Sequence, residues 1–251
     1  MQMLLLSRRH TKADLTVWNQ LARMDRINAQ APRMRGLVCR AHDAIKLFYS
    51  HHEGDCYCGV SWGKDSITVA HMIATLGLQI PLMWLRFGVL TNPDCIAVRD
   101  VFLSMFPGVI YHEAKVPYIS DGCEWWLDAS SFSAVFSKAA RDIGGAHISG
   151  VRMEEAGIRR LRMHVWGLES PNTCAPIGYW RNEDVFAYMS LHDLPIHPAY
   201  ACSAGGVFPR NRLRVDMIGG EGGETLGRGE WEARYYPEVI GSARRAARGG
   251  I

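Results

Sequence analysis

Apolar residues fall at helical spacing over the first fifty positions, with Leu15, Trp18, Leu21 and Ala22 forming one stripe and Leu37, Ala41, Ile45 and Phe48 a second. Thr11 followed by Asp14 reads as a capping box at the start of the first helix, and Pro32 separates the two stripes. From about residue 54 the period changes. Strand-like runs near 55–60, 81–87, 109–115 and 146–150 alternate with helical stripes over 66–76, 93–105, 131–143 and 183–192. The first, Cys56–Val60, is nearly free of charge and suits a strand buried on both faces of a parallel sheet. The alternation of strands with helices predicts an α/β fold with a doubly wound, mainly parallel sheet. Three regions follow: a helical N-terminal extension over 1–52, the α/β domain over 53–200, and a Gly/Arg-rich C-terminal segment over 201–251. The glycine pairs at 205–206, 219–220 and 222–223 predict loops and a mobile end in that last region. No internal repeat is visible.

The run CGVSWGKDSITVAHM, residues 58–72, sets a polar insertion between a strand and a helix. Ile67, Val69, Ala70, Ile73, Ala74 and Leu76 carry the helical spacing, and Gly77 is placed as its C-terminal cap. Ser61, Trp62, Gly63, Lys64, Asp65 and Ser66 therefore turn from a strand's carboxyl end into a helix's amino end. The first N–H groups of a helix lack internal partners and carry positive partial charge, so that end attracts phosphate or sulfate. Gly63 permits close approach, Lys64 adds a full charge, and the Ser61 and Ser66 hydroxyls can donate to further oxygens. Asp65 repels such a ligand unless it caps backbone N–H groups or holds Mg²⁺.

Ligands of open parallel sheets sit beyond the carboxyl ends of the strands, so every loop that follows a strand is a candidate wall. After the second strand, Asn92 before Pro93 reads as a helix cap. After the fourth comes SGVRMEEAGIRR, in which Gly150 and Arg152 leave the sheet at the edge of the anion loop. An arginine there can grip phosphate bidentately. Glu154 and Glu155 suit a helix's first turn, and Arg159 lies four residues beyond Glu155 on the same face. In APIGYWRNEDVFAYMSLHDLPIHPAY, residues 175–200, Asn182 reads as a helix cap, with Trp180, Asp184 and Tyr188 as core or capping groups. His197 fits either a turn or a ligand contact.

Composition adds bounds. A chain of 251 residues with 48% hydrophobic content suits one α/β domain with appendages. Met3 to Leu6 is too short for a signal-peptide core and no run of about 18 apolar residues exists, so a cytoplasmic protein without membrane contact is expected. The seven cysteines form no C-x-x-C pair. Cys56 and Cys58 fall inside the first predicted strand with side chains expected on opposite faces, which disfavours a metal site. A net charge of +3 argues little for nucleic acid, although Arg8-Arg9, Arg33-Arg35-Arg40, Arg210-Arg212-Arg214 and Arg244-Arg245-Arg248 could each touch phosphates.

SWGKDS resembles the SGGKDS signature of the PP-loop superfamily, the adenine nucleotide α-hydrolases. The Trp62 position usually holds Gly, and a positive φ is not expected for tryptophan. SGVRMEEAGIRR resembles the G-x-R-x-[ED]-[ES]-x-x-x-R element of phosphoadenylyl-sulfate (PAPS) reductases and the small subunit of ATP sulfurylase, and residues 175–200 resemble their P-x-x-x-W-x-x-x-D-V-x-x-Y block. The resemblance covers residues 55–200 in family order. It implies an adenine nucleotide α-hydrolase-like fold, ATP or PAPS as ligand with Mg²⁺, and cleavage between the α- and β-phosphates in an adenylyl-transfer type of enzyme. Lys64, Asp65 and Arg152 would be catalytic, Asp65 would hold the metal, and Ser61, Trp62, Gly63, Ser66, Gly150, Glu155 and Arg159 would complete the nucleotide site. The family's redox motifs, E-C-G-x-H-x-G or a C-C…C-x-x-C set, do not occur, so no iron–sulfur cluster is expected, and Cys174 and Cys202 read as inert thiols. Two alternatives stay open: a sulfonucleotide reductase with an external thiol, and a nucleotide- or nucleic-acid-binding module, by analogy phage-encoded and in a host's cytoplasm. The acceptor and any partner subunit are not specified.

Overall fold

The computed structural model describes residues 3–115, 137–138, 141–213, 215–218 and 228–247. Its elements in chain order are β1 (Met3–Leu4), α1 (Lys12–Ala29), α2 (Pro32–His51), β2 (Cys56–Val60), α3 (Lys64–Leu76), β3 (Leu82–Arg86), α4 (Asp94–Met105), β4 (Tyr111–Lys115) and β5 (Ala146–Ile148). Then come α5 (Gly157–Trp166), β6 (Glu169–Ser170), β7 (Thr173–Cys174), α6 (Asn182–Leu191), β8 (Pro195–Ile196), α7 (Arg228–Tyr235) and α8 (Pro237–Ala247). The main sheet has the order β4-β3-β2-β5-β7-β6, parallel throughout except that β6 runs antiparallel to β7. β1 and β8 form a separate parallel pair. The mixed α/β fold with a mainly parallel sheet is as the hydrophobic pattern predicts.

The order matters for function. Connections run outward from β2 through β3 to β4, then return to β5 on the other side of β2. The two loops leaving β2 and β5 therefore diverge at the switch in strand order, where an open sheet leaves a crevice. Cys58, Gly59 and Val60 pair with Leu82, Met83 and Trp84, and Cys56, Tyr57 and Cys58 with Ala146, His147 and Ile148, so β2 is hydrogen-bonded on both edges and buried.

Local signals set the helix ends. Thr11 and Asp14 form the predicted capping box, with the Thr11 N–H donating to Asp14 Oδ2 at 3.0 Å and the Asp14 N–H to Thr11 Oγ1 at 3.2 Å. Gly77 closes α3 at φ 67°, as its position predicts. At α6 the cap differs: Arg181 is the N-cap residue, its N–H donates to Asp184 Oδ2 at 2.9 Å, and Asn182 is already helical. Asp184 replaces the expected Asn182 cap because a carboxylate at the third helical position reaches back to an orphan N–H.

One apolar core joins the three regions of the chain: Trp18 of α1, Ile67 of α3, Phe186 of α6 and Trp231 of α7 belong to the same buried cluster. Trp18 meets Phe186 edge-on at 6.1 Å. The C-terminal segment departs from its expected loops, because α7 and α8 bury Trp231, Tyr235 and Val239 at helical spacing. The glycines between 219 and 227, and most of the helix expected over 131–143, lie outside the described residues. Cys56 and Cys58 correct the sequence reading. Residues two apart on a strand share a face, and the buried Cys58 thiol is raised by burial and by its proximity to Cys56 and Cys174. Several arginines read as phosphate contacts are spent internally: Arg9 pairs with Asp94 and Glu238, Arg33 with Asp184, and Arg210 bidentately with Asp25 at 2.7 and 2.6 Å.

Candidate anion-binding site

The turn from β2 into α3 places Gly63 at the N-cap in extended conformation and leaves Lys64 as the first helical residue. Trp62 has φ 60°, against the expectation for a tryptophan. The left-handed conformation costs roughly 1–2 kcal/mol. It is offset by packing: Trp62 is fully buried, with Trp84 edge-on at 6.2 Å and Phe102 and Tyr111 at 5.7 Å. The indole thus lies beneath the turn and not in the crevice.

Gly63 has the room-limited environment expected of a close-approach glycine. A Cβ there would sit 3.1 Å from Tyr200 Oη and 3.2 Å from Val215 Cγ2. The Lys64 N–H donates to Tyr200 Oη at 3.1 Å, so one orphan donor of α3 already has a partner. Burial and the nearby Asp65 carboxylate push the Tyr200 phenol well up, opposed by the Lys64 N–H bond, so its hydroxyl is neutral. Ser66 Oγ donates to Gly63 O at 3.0 Å and accepts from the Ser61 N–H at 3.2 Å. Ser66 therefore braces the turn, a different use from the ligand donor expected of it.

The loop leaving β5 lies directly on the first turn of α3. A Cβ on Gly150 would come within 2.7 Å of the Asp65 carbonyl carbon and 2.9 Å of the Ser66 nitrogen, so two backbones touch there. Two residues on, Arg152 is only 2% exposed. Its Nε donates to Asp65 Oδ1 at 2.6 Å and its Nη1 to Glu154 Oε2 at 2.8 Å. Lys64 Nζ meets the other Asp65 oxygen at 2.5 Å. Burial raises the Asp65 carboxyl, but Lys64 and Arg152 outweigh it and hold it below the usual carboxylate range. Glu155 accepts from the Arg152 N–H at 3.0 Å and pairs with Arg159.

This network bears on the metal expected at Asp65. Both carboxylate oxygens face cations at hydrogen-bonding distance, and among the described residues no cluster of three His, Cys, Asp or Glu side chains is placed to hold an ion. Asp65 as folded is the common anchor of two cations and does not fit the part of a resident Mg²⁺ ligand.

A cavity of about 780 Å³ opens over this junction. Ser61, Gly63, Lys64, Asp65, Ser66, Gly150, Arg152, Glu155 and Arg159 all line it, and of the sequence-derived set Trp62 alone does not. Its size suits a nucleotide. Sequence reasoning missed Tyr200, Ser149 and His147, and it missed a wall formed by Asn211, Arg212, Leu213, Val215 and Asp216. Tyr200 closes the quoted 175–200 block, and Arg212 sits in a noted arginine cluster, so both carried a signal. His147, in the middle of β5, is held down to about 4 by burial and by Arg162. His197 lies outside the lining. It is fully buried, caps a short turn by accepting from the Ala199 N–H at 3.1 Å, and stands 3.5 Å from Cys95 Sγ.

No family model matches the chain. Over 154 residues it is 21% identical to a phosphoadenosine 5'-phosphosulfate reductase from Synechococcus sp., a match covering 56% of this chain and 66% of the reductase, just under two thirds of that protein's length. Among solved structures it is similar to PAPS reductase from Candida auris in a phosphate complex, at TM-score 0.49 and 12% identity, covering 78% of this chain and 91% of that one. It is also similar to the U34-tRNA thiolase NcsA from Methanococcus maripaludis with its [4Fe-4S] cluster, at TM-score 0.43 and 12% identity, covering 76% and 72%. No helix among the described residues is long and apolar enough to cross a membrane. The likeness to the PAPS reductase-like branch of the PP-loop superfamily, read from three motifs, is thus borne out by a separate sequence match to a PAPS reductase.

Proposed function

We propose that this chain is an enzyme that binds an adenine nucleotide with its phosphates at the start of α3 and cleaves ATP between the α- and β-phosphates to activate an acceptor. The observation that carries the reading is the meeting of Lys64, Arg152 and the α3 N-terminus at the β2/β5 switch, inside one cavity of nucleotide size. An acceptor oxygen would attack the α-phosphorus as pyrophosphate leaves. Lys64 and Arg152, released from Asp65 by the incoming phosphates, would offset the charge that develops on the leaving oxygens. Mg²⁺ would arrive with the phosphates of the nucleotide. Sulfur transfer or nucleic-acid modification would supply the acceptor.

The match to a PAPS reductase favours a second reading, in which the same loop holds the sulfate of PAPS and an external thiol reduces it. No cysteine among the described residues lines the cavity, and Cys58, Cys95, Cys174 and Cys202 are buried with thiols pushed up by burial. Among the described residues, that chemistry would draw on the added thiol.

Calorimetric titration of ATP into wild type and Lys64→Ala tests the reading. Arg152 remains to pair Asp65, so the variant should fold, and losing one charge-assisted contact should cost about 1.5–3 kcal/mol, roughly ten- to a hundredfold in affinity. Equal affinities would refute the assignment. Pyrophosphate release from ATP with sulfate, carboxylates or RNA as acceptors separates the two readings.

A further inference from the structure

Tyr200 reaches the site from outside the two loops that leave β2 and β5. It belongs to a short turn over Pro198–Ala201, just after β8. That turn is held at its start: His197 accepts from the Ala199 N–H at 3.1 Å, and His10 Nε2 lies 2.9 Å from Pro198 O. The Tyr200 ring meets Phe186 edge-on at 5.4 Å, and only 3% of the residue is exposed. The phenol is therefore fixed in place, yet it lines the cavity, with its oxygen over the N-cap of α3, 3.1 Å from where a Gly63 Cβ would stand.

Many donors of the site already have acceptors within the protein. Ser66 Oγ donates to Gly63 O, Lys64 Nζ and Arg152 Nε to Asp65, and Arg152 Nη1 to Glu154. The Lys64 N–H, at the start of α3, is given to Tyr200. Tyr200 itself differs: its oxygen accepts that N–H, while its own proton goes to no acceptor among the described residues. Burial keeps that proton on the oxygen. A buried hydroxyl that donates to nothing is costly, and a ligand oxygen in the cavity would supply what it lacks. An N–H at the positive end of a helix polarises the oxygen it meets, which strengthens the O–H as a donor. Towards a phosphate oxygen that bond would be charge-assisted.

We propose that the Tyr200 hydroxyl donates to the phosphate bound at the start of α3, so that the pull of the helix reaches the nucleotide through the Lys64 N–H and the phenol in series. This rests on the nucleotide reading above and adds to it a ligand from a third part of the chain. The rigid ring presents the donor without the loss of freedom that a long side chain would suffer. As pyrophosphate leaves, the same proton shares the charge that gathers on its oxygens.

The test is calorimetry with ATP and with inorganic pyrophosphate on wild type, Tyr200→Phe, and a variant carrying 4-aminophenylalanine at position 200. Each keeps an aromatic ring against Phe186, so all three should fold, with urea midpoints close together. Tyr200→Phe, which lacks the donor, should bind both probes roughly tenfold more weakly, and the amino group, which restores a donor at the same point, should recover most of that loss. Unchanged binding in Tyr200→Phe overturns the inference, and so does tighter binding, which would make the hydroxyl a plug on the helix start. A loss that the amino group does not recover overturns it too, because the hydroxyl then serves the turn and not the phosphate. So does a loss seen with ATP and not with pyrophosphate. Binding that Lys64→Ala weakens and Tyr200→Phe leaves alone strikes the inference and spares the nucleotide reading. Failure of wild type to bind either probe overturns both.

Discussion

Gly150→Ala isolates the contact between the two loops of the site. The added Cβ would lie 2.7 Å from the Asp65 carbonyl carbon and 2.9 Å from Asp65 O and Ser66 N. All three are backbone atoms of the first turn of α3, so no rotamer change relieves the clash. Ordinary contact begins near 3.4 Å, and the loop must lift by about 0.7 Å. Overpacking of this kind costs about 1–3 kcal/mol, which for a chain of this length is a fall in Tm of roughly 2–12 °C. Function should suffer more than stability, because Arg152 two residues on holds Asp65 at 2.6 Å and a shift approaching an ångström at such a pair is worth tenfold or more. Differential scanning calorimetry and ATP titration give both numbers. Gly36→Ala is the matched control: it lies within α2 with nothing within 4 Å of the added Cβ, and it should stabilise by about 0.5–1 kcal/mol. A Gly150→Ala protein with wild-type Tm and wild-type affinity would refute the reasoning.

Trp62→Gly relieves a left-handed tryptophan but empties a fully buried aromatic site, so urea unfolding should show a net loss of about 1–4 kcal/mol; a stabilised variant would mean the strain outweighs the packing. His71, His147 and His197 are held down to about 4, by burial in each case, with His192 and His42 adding to the effect at His71. The unfolded chain takes up protons below about pH 6.5 that the native state refuses, so stability is full above that value and falls towards pH 4, by up to about 1.4 kcal/mol per pH unit for each group. Equal urea midpoints at pH 7.5 and 5.5 would contradict this. Replacing Cys174 and Cys202 together by Ala should leave ATP affinity within about twofold, since burial keeps both as thiols away from the cavity; a folded double variant without nucleotide binding would give one of them a role.

The parts of the molecule that sequence disclosed are those specified within a few residues. The turn from β2 into α3, the Thr11–Asp14 box and the Gly77 cap each depend on a short pattern and a local hydrogen bond or dihedral. Trp62 was misjudged because its conformation is stabilised by Trp84, Phe102 and Tyr111, none of them a sequence neighbour. Helices α7 and α8 were obscured by flanking glycines, although Trp231, Tyr235 and Val239 keep a four-residue spacing. The partners of Asp65 lie on both sides of this divide: Lys64 adjoins it in sequence, while Arg152 comes from another strand and decides that the carboxylate anchors cations.

The part of the chain that carries the cavity's far wall is tied to α1 by contacts that span most of the sequence: Arg210 with Asp25 across 185 positions, Ser203 with Asp14 across 189, and Tyr235 with Asp14 across 221. During synthesis the anion loop and its strands leave the ribosome long before the segment that roofs them. A nascent chain halted near residue 200 would lack Ser203, Arg210 and Tyr235, which meet Asp14 and Asp25 of α1 in the folded protein. Such high contact order makes closure of the roof a late and slow event in folding. The site therefore matures last, after the sheet that supports it.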